Sequence, residues 1–368
     1  MSAGLYFHIP FCARKCDYCD FYSFTPTDGR MDAYRDALIR SIDRFAPAVT
    51  APFDTVYFGG GTPSFFGGAR IRAVLDAARA ALPLAPGAEI TVECNPSSTT
   101  EALAASLAAA GVNRVSLGLQ SAVAAERAAL GRTSTPQQAE TALQRLRRNG
   151  ITNLSLDLML GLPGQTAATL RESLRFVSES GVPHVSAYLL KVEENTPLFA
   201  KKETLPIPDE DSVCDFYLQT AEALEQGGLR QYEISNFARP GFESRHNLHY
   251  WRDEAYLGLG PAAHSFFGGK RFYFPRDFDA FLRGDPPVQD GDGGDPEEFC
   301  MLRLRLAEGL SDGAFRERFG KHLPEGMFRK AKALETHGLL RVTQDTIALT
   351  KQGFLVSNAI IGELVAVL

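Results

Sequence analysis

The stretch LYFHIPFCARKCDYC, residues 5–19, decides the fold of this 368-residue chain. It begins with an apolar run, Leu5–Ile9, that is typical of a buried strand, and it continues at once into cysteines spaced Cys12-x-x-x-Cys16-x-x-Cys19. Three thiolates can hold three irons of a four-iron cluster, whereas an electron-transfer cluster normally has four cysteine ligands. Residue 21, where a nearby fourth thiolate could stand, is Phe21. The spacing therefore predicts a reactive [4Fe-4S] cluster whose fourth iron is open to a small molecule.

Length and composition restrict the class of protein. A chain of 368 residues with 45% apolar content suits one large domain plus a smaller unit. The formal net charge is -6 and the basic residues are dispersed, so we expect no nucleic-acid partner. No run of about 18 apolar residues is present, and the N-terminal run lacks the basic region and cleavage site of a secretory signal. We therefore expect a cytoplasmic protein with no transmembrane segment, whose membrane contact, if any, is peripheral.

The first two hundred residues alternate strand-like and helix-like segments. Repeated strand–helix units predict a parallel sheet with helices outside it, and six units fit a partial barrel better than an eightfold one. The expected fold class is thus α/β: a partial (β/α)6 barrel, with its site at the C-terminal ends of the strands. The predicted strands are Leu5–Ile9, Thr55–Phe58, Glu89–Cys94, Asn113–Leu119, Leu154–Leu160 and His184–Leu190.

The pattern changes after about residue 200. Asp209–Gln226 predicts a long helix and Arg230–Phe237 a strand, followed by a segment rich in glycine and aromatic residues. A Pro/Gly/Asp-rich linker at Asp285–Asp295 indicates a boundary. Beyond it, short helical stretches and the alternating segment Leu339–Leu349 predict a small helical or winged-helix-like domain. We therefore divide the chain into a barrel (1–200), a barrel extension (201–284) and a C-terminal domain (285–368).

Polar groups and glycines stand at the ends of successive predicted strands. The run Gly59–Gly61 permits close approach of the backbone to a ligand, and Glu93 in an apolar strand is costly unless it is paired. Gln120 could bond hydroxyls, Arg132 could bind a carboxylate through two donors, and Asp157 lies between apolar neighbours. Taken alone, each position is as compatible with a structural role, such as a tight turn or a salt bridge, as with contact to a ligand. Together they predict one ligand site.

Five motifs give the chain a family resemblance. It resembles the oxygen-independent coproporphyrinogen III oxidase family of radical-SAM proteins, over nearly its whole length. The resemblance implies that S-adenosylmethionine occupies the open iron and contacts Tyr6, Gly61, Thr62, Glu93, Gln120, Arg132 and Asp157. The motifs are Tyr6-Phe-His-Ile-Pro-Phe-Cys12, Gly59-Gly-Gly-Thr-Pro63, Glu93-Cys-Asn-Pro96, Ser116-Leu-Gly-Leu-Gln120-Ser and Gly161-Leu-Pro-Gly-Gln-Thr166.

Two branches of that family differ near the cluster. The oxidase branch has a fourth cysteine two residues after the third and a long N-terminal arm, whereas this chain has Phe21 and only eleven residues before Cys12. It resembles the heme chaperone (HemW) branch, which carries the motif found here at His246-Asn247-Leu-His-Tyr250-Trp251. This resemblance implies binding of heme, its transfer to apo-hemoproteins, and homodimerisation. The alternative is oxidative decarboxylation of coproporphyrinogen III propionates by a 5′-deoxyadenosyl radical. Two departures from the branch are Asp17 in place of proline and Ala262-Ala263 where a glycine is common.

The His-Asn-aromatic motif has chemistry that suits heme. A histidine is a standard axial ligand of heme iron, and we expect His246 to be that ligand, with His249 as a rival that spacing does not exclude. The rings of Tyr250 and Trp251 offer flat apolar area for a porphyrin face. Arg245 or Arg252 could pair with a propionate. The competing interpretation is a buried hydrogen-bond network with no ligand role.

Overall fold

This computed structural model describes residues 2–368 of the chain. Its largest feature is a twelve-stranded sheet covered by helices. The strands are β1 (Ala3–Ile9), β2 (Phe53–Gly60), β3 (Leu84–Cys94), β4 (Arg114–Gln120), β5 (Asn153–Leu160), β6 (His184–Leu189), β7 (Arg230–Gln231), β8 (Asn236–Ala238), β9 (Tyr256–Leu259), β10 (His264–Phe267), β11 (Lys270–Tyr273), β12 (Val288–Asp292), β13 (Leu310–Ser311), β14 (Leu340–Val342) and β15 (Thr346–Leu349). The helices are α1 (Asp28–Phe45), α2 (Pro63–Phe66), α3 (Gly68–Ala81), α4 (Glu101–Ala109), α5 (Ala124–Ala129), α6 (Pro136–Arg148), α7 (Ala167–Ser180), α8 (Pro197–Lys201), α9 (Glu210–Gln226), α10 (Arg245–Trp251), α11 (Phe278–Arg283), α12 (Pro296–Arg303), α13 (Asp312–Phe319), α14 (Glu325–Glu335), α15 (Lys351–Leu355) and α16 (Ser357–Val365).

The six predicted strands are confirmed and lie side by side in sequence order. β1 to β6 pair parallel to one another, which forms the partial barrel, and β9 adds a further parallel strand on the outer side of β1. Their central residues are almost fully buried because helices cover one face and the site covers the other. Parallel pairing brings the C-terminal ends of all these strands to one edge, so the predicted site residues gather there.

The region after residue 200 differs from the expectation in two places. The predicted strand Arg230–Phe237 is two short strands, β7 and β8, which pair antiparallel as a hairpin because Tyr232 N–H bonds back to the Asn236 carbonyl. The glycine- and aromatic-rich segment forms β9 to β11, which sequence reasoning left without strands. The predicted linker is strand β12 over Val288–Asp292, which pairs with β11 at the edge of the large sheet.

The C-terminal unit combines helices with a small sheet. The alternating segment forms the hairpin β14–β15, and β13 completes a three-stranded antiparallel sheet in the order β13-β15-β14. The unit contacts helix α9 through the ion pair Lys351–Glu225 at 2.6 Å. The helical and winged-helix-like character expected for this region is therefore confirmed in outline, while the boundaries at 200/201 and 284/285 stay predictions.

Candidate active site

The loop that carries the three cysteines is fixed at both ends. It follows β1, which ends at Ile9, and the amide of Cys12 donates to the carbonyl of Phe24, 3.0 Å away, which closes the loop. In its middle the amide of Asp17 donates to the carbonyl of Leu130 at 3.0 Å, and its carboxylate pairs with Lys201 at 2.8 Å. Asp17, one of the departures from the family pattern, is thus a structural anchor. The loop holds its thiols over the C-terminal ends of the strands.

The thiols carry polar neighbours that suit a negatively charged cluster. The hydroxyl of Thr62 lies 3.3 Å from Cys12 Sγ, and Arg132 Nη1 donates to Cys16 Sγ at 3.7 Å. Burial raises the pKa of the Cys16 thiol, against the opposing charge of Arg132, and burial raises that of Cys19 to about 11. For Cys16 and Cys19, burial thus favours the neutral thiol, whereas a coordinating metal ion favours the thiolate.

Arg132 is the buried cation of the site. Its Nη2 donates to the carbonyl of Gly118 at 2.5 Å, while its Nε is buried with no hydrogen-bond partner. Burial alone would lower the pKa of Arg132, but Tyr18 and Cys16 raise it, so the guanidinium stays charged. A buried guanidinium with a free donor is suited to an anionic ligand group, as the sequence predicted for a carboxylate.

The glycine run at the end of β2 is required by its surroundings. Gly60 has φ +108, and a Cβ there would lie 2.5 Å from the His8 imidazole; at Gly61 a Cβ would lie 2.8 Å from the carbonyl oxygens of Ile9 and Phe11. Only glycine tolerates this conformation and this close approach of two backbones. Gly60 and Gly61 therefore bring backbone without a side chain to the cavity wall.

Glu93 is held by two donors. Its Oε1 accepts from the Tyr57 hydroxyl at 2.8 Å and its Oε2 from the Gly60 amide at 3.3 Å. Burial raises the pKa of Glu93 to about 7, even though the Tyr57 hydrogen bond acts in the opposite direction. A carboxyl poised near neutrality at a cavity wall is a candidate for contact with a ligand.

Gln120 and Asp157 lie on the adjacent strands β4 and β5. Gly118 pairs with Asp157 in the parallel ladder, and the Ser116 hydroxyl donates to Asp157 Oδ1 at 2.8 Å. Burial raises the pKa of Asp157, with Ser116 and Ser186 opposing it. Gln120 has φ 70 and interrupts the ladder, a left-handed conformation that a non-glycine residue rarely adopts. Such strain is often found at functional sites.

A single cavity of about 500 Å³ collects most of the predicted residues. Its wall includes the three cysteines and Gly61, Thr62, Glu93, Gln120, Arg132 and Asp157; Tyr6 and His246 do not line it. The wall also includes residues that the sequence did not predict as contacts of S-adenosylmethionine: Tyr57, Arg114, Ser116, Ser186, Tyr188, Asn247 and Arg276. Arg114 is 2% exposed and its Nε lacks a partner, so it is a second buried cation facing the cavity.

The His-Asn-aromatic motif forms the short helix α10 beneath this cavity. His246 is 1% exposed; its Nδ1 bonds the Thr55 hydroxyl and its Nε2 bonds the Tyr250 hydroxyl, both at 2.7 Å. Both ring nitrogens are therefore used within the protein, as in the competing network interpretation, and an iron bond would require one of these hydrogen bonds to break. Asn247 is the member of the motif that reaches the cavity wall.

The other predicted heme contacts are also engaged. His249 Nε2 lies 2.7 Å from Asp54 and its Nδ1 lies 2.8 Å from Glu254. Burial alone would lower the pKa of His249, but these carboxylates raise it to about 9, so at neutral pH it is an imidazolium without a lone pair for iron. Arg245 pairs with Asp54 and Arg252 with Glu308.

Comparison with known proteins places the chain in a family. The sequence model of the radical SAM superfamily matches residues 6–177, and that of the HemN C-terminal domain matches residues 295–356. The heme chaperone HemW of Mycobacterium tuberculosis is 37% identical, covering 97% of this chain and 93% of its own; that of Bacillus subtilis is 34% identical, covering 97% of both. The chain belongs to the heme chaperone HemW family. In Escherichia coli the HemW relative is 38% identical over 83% of each chain.

The fold is shared more widely. The structure of coproporphyrinogen III oxidase (HemN) from Escherichia coli matches with a TM-score of 0.85 at 22% identity, covering 100% of this chain and 91% of that one. Membership of the radical SAM superfamily implies a [4Fe-4S] cluster and S-adenosylmethionine as cofactors.

The residues present fit such a cluster. Among residues 2–368 no three His, Cys, Asp or Glu side chains could hold one metal ion, but each cysteine of a four-iron cluster binds a different iron, so their sulfurs need not meet at one point. Three thiols share one cavity wall with a guanidinium whose Nε is free. No helix within residues 2–368 is both long and apolar enough to cross a bilayer.

Proposed function

We propose that this protein binds heme and transfers it to apo-hemoproteins. It would hold a [4Fe-4S] cluster on Cys12, Cys16 and Cys19, with S-adenosylmethionine at the open iron. Two observations support the proposal together. Relatives that match 97% of this chain are named heme chaperones, and Phe21 stands where the oxidase branch has a further cysteine. We expect it to act in the cytoplasm, because a cluster with an open iron needs a reducing compartment.

The chain's own residues would orient the cofactor in the cavity. Arg132 offers a free buried Nε to a carboxylate. Glu93 and Asp157, whose pKa values burial raises, offer acceptors for cationic or hydroxyl groups. Gly60 and Gly61 have no side chains at the cavity wall, so a ligand can approach their backbone closely. The cofactor, when bound and reduced, supplies radical chemistry. We propose that in this protein the cluster serves assembly or regulation more than turnover.

The test compares chaperone and oxidase activities of one preparation. Anaerobically reconstituted protein is first loaded with heme and mixed with an apo-cytochrome, and the proposal expects the heme spectrum of the acceptor to appear. The same protein is then incubated with reductant, S-adenosylmethionine and coproporphyrinogen III. Formation of protoporphyrinogen, or failure of heme transfer, would overturn the proposal.

The cluster assignment has its own test. Cys16→Ala should leave little iron and sulfide after reconstitution, whereas Cys214→Ala, which removes a half-buried thiol on α9, should leave both unchanged. Full cluster content in the Cys16 variant would contradict the assignment.

A further inference from the structure

Arg114, the second buried cation of the cavity wall, differs from Arg132 in its contacts. Arg132 donates to the carbonyl of Gly118 and to Cys16 Sγ. Arg114 is 2% exposed, and within residues 2–368 its Nε has no hydrogen-bond partner and no ion pair includes it. A buried charge without hydrogen bonds is costly, so the guanidinium of Arg114 is suited to an anionic group that enters the cavity.

The two guanidiniums belong to different ends of strand β4. Positions 114, 116 and 118 face the same side of the sheet, because successive residues of a strand alternate. Arg114 begins the strand, and at about 3.3 Å per residue its Cα lies about 13 Å from that of Gly118. Arg132 is bonded to Gly118, beside the cysteine loop, so it marks the cluster end of the cavity and Arg114 the inner end.

The carboxylates around Arg114 are bonded to other donors. Glu89 accepts the first two amides of α10, both at 3.2 Å, and Glu93 and Asp157 accept the hydrogen bonds described above. Burial alone would lower the pKa of Arg114, but Glu89 and the other acidic groups near it raise it, so the guanidinium stays charged. The surrounding carboxylates therefore balance the charge of Arg114 without filling its hydrogen bonds.

The opening of the same cavity carries two exposed aromatic rings. Phe21, in the cysteine loop, is 66% exposed, and Tyr188, near the end of β6, is 41% exposed; both line the cavity. Exposed rings of this kind offer flat apolar area to a ligand. The cavity therefore combines an aromatic opening with a buried cation at its inner end.

A carboxylate attached to a flat ring system matches both features. A guanidinium binds a carboxylate through two parallel N–H donors. The carboxylate of S-adenosylmethionine is assigned to the open iron and Arg132 at the cluster end, so Arg114 is left for a different carboxylate. Heme, the cargo of the proposed function, has a flat macrocycle and two propionates.

We propose that Arg114 binds a heme propionate, in a subsite separate from that of S-adenosylmethionine, with Phe21 and Tyr188 next to the macrocycle. The inference rests on the proposed heme function, which it deepens by naming the group of the cargo that the cavity recognises. It holds whichever side chain ligates the heme iron.

The test compares heme with its dimethyl ester, in which both propionates are masked while the iron and the macrocycle are unchanged. Each compound is titrated into the reconstituted wild-type protein, with and without saturating S-adenosylmethionine, and the Soret band reports binding. The free acid should bind about 10- to 100-fold more tightly than the ester, because hydrogen bonds to charged groups contribute about this much. The preference should persist when S-adenosylmethionine is present.

Three variants assign the preference to a residue. Arg114→Gln should lose it, and Arg114→Lys, which keeps the positive charge but not the two-donor fork, should keep only part of it. The control Arg127→Gln also removes a buried guanidinium, one that lies outside the cavity and donates to the Ser121 carbonyl at 3.0 Å. This control should keep the full preference for the free acid.

Three results would overturn the inference and leave the proposed function intact. The first is equal affinity of the wild type for heme and its ester, a measurement that needs no variant to fold. The second is a full preference retained in Arg114→Gln. The third is loss of the wild-type preference when S-adenosylmethionine is added, since that would place both ligands in one subsite. A wild-type protein that binds neither compound would instead refute the proposed function, and the inference with it.

Discussion

The carboxyl of Glu93 should make binding of S-adenosylmethionine depend on pH. Its pKa of about 7 in the empty cavity results from burial. A cationic or hydroxyl-bearing ligand is held better by the carboxylate than by the neutral acid. With a pKa of about 7, the ionised fraction rises from about one-eleventh at pH 6 to about ten-elevenths at pH 8. The contribution of Glu93 to affinity should therefore rise about tenfold over this range.

The assay is equilibrium binding of S-adenosylmethionine to reconstituted wild-type protein and Glu93→Gln at pH 6, 7 and 8. The ligand has an amino group of its own that titrates, so the informative quantity is the ratio of the two affinities at each pH. The ratio should rise about tenfold from pH 6 to pH 8. A ratio that stays constant would refute the reasoning, since it would mean that Glu93 either does not contact the ligand or does not titrate near neutrality.

Unfolding of the empty protein gives an independent check of the same pKa. Because the folded-state pKa of Glu93 is raised, the protonated carboxyl favours the folded state, and this contribution is fully present below the ordinary pKa of 4.5 and is lost as pH rises through about 7. Glu93→Gln should lack this decline in the free energy of unfolding. An equal decline in both proteins would assign it to another group.

The remaining predictions concern the backbone. Gly60→Ala should lower the free energy of unfolding by about 3 kcal/mol, because it combines a left-handed φ with a methyl group 2.5 Å from an imidazole; Gly87→Ala, with φ +71 and nothing within 4 Å, should cost only about 1 kcal/mol. Urea denaturation measures both, and equal losses would contradict the steric argument. Ala262→Gly should raise stability by about 0.5 kcal/mol, since relief of left-handed strain exceeds the entropic cost of glycine. The control Ala263→Gly, at a position only 1% exposed, should lower the free energy of unfolding by about 1 kcal/mol or more. If Ala262→Gly also lowered it, Ala262 would be unstrained.

The barrel could be predicted because its strands are decided locally. Leu5–Ile9 and Leu154–Leu160, for example, are largely apolar runs, and parallel strands buried on both faces have this pattern. The strands β9 to β11 could not be predicted in the same way. Each has only four residues, with glycines between them, and pairing with β1 and with one another determines their conformation.

The site was predictable to the extent that its residues belong to strand ends. Glu93 and Asp157 were found because a charge in an apolar stretch is unusual, and Arg132 because it lies just beyond a strand end and could bind a carboxylate through two donors. Arg114 was missed as a site residue because its place at the start of β4 shows nothing of the carboxylates on neighbouring strands. His246 was assigned to heme on its residue type and on the resemblance of its motif, and only the structure reveals the hydroxyl groups of Thr55 and Tyr250 that bond its ring.

The central claim is that three thiolates leave one iron open for S-adenosylmethionine. Mössbauer spectroscopy of the protein reconstituted with ⁵⁷Fe tests it most directly, recorded before and after S-adenosylmethionine is added. The account predicts that one iron of each cluster changes its isomer shift and quadrupole splitting on addition, while the other three do not. Four irons that remain equivalent and unaffected would contradict it.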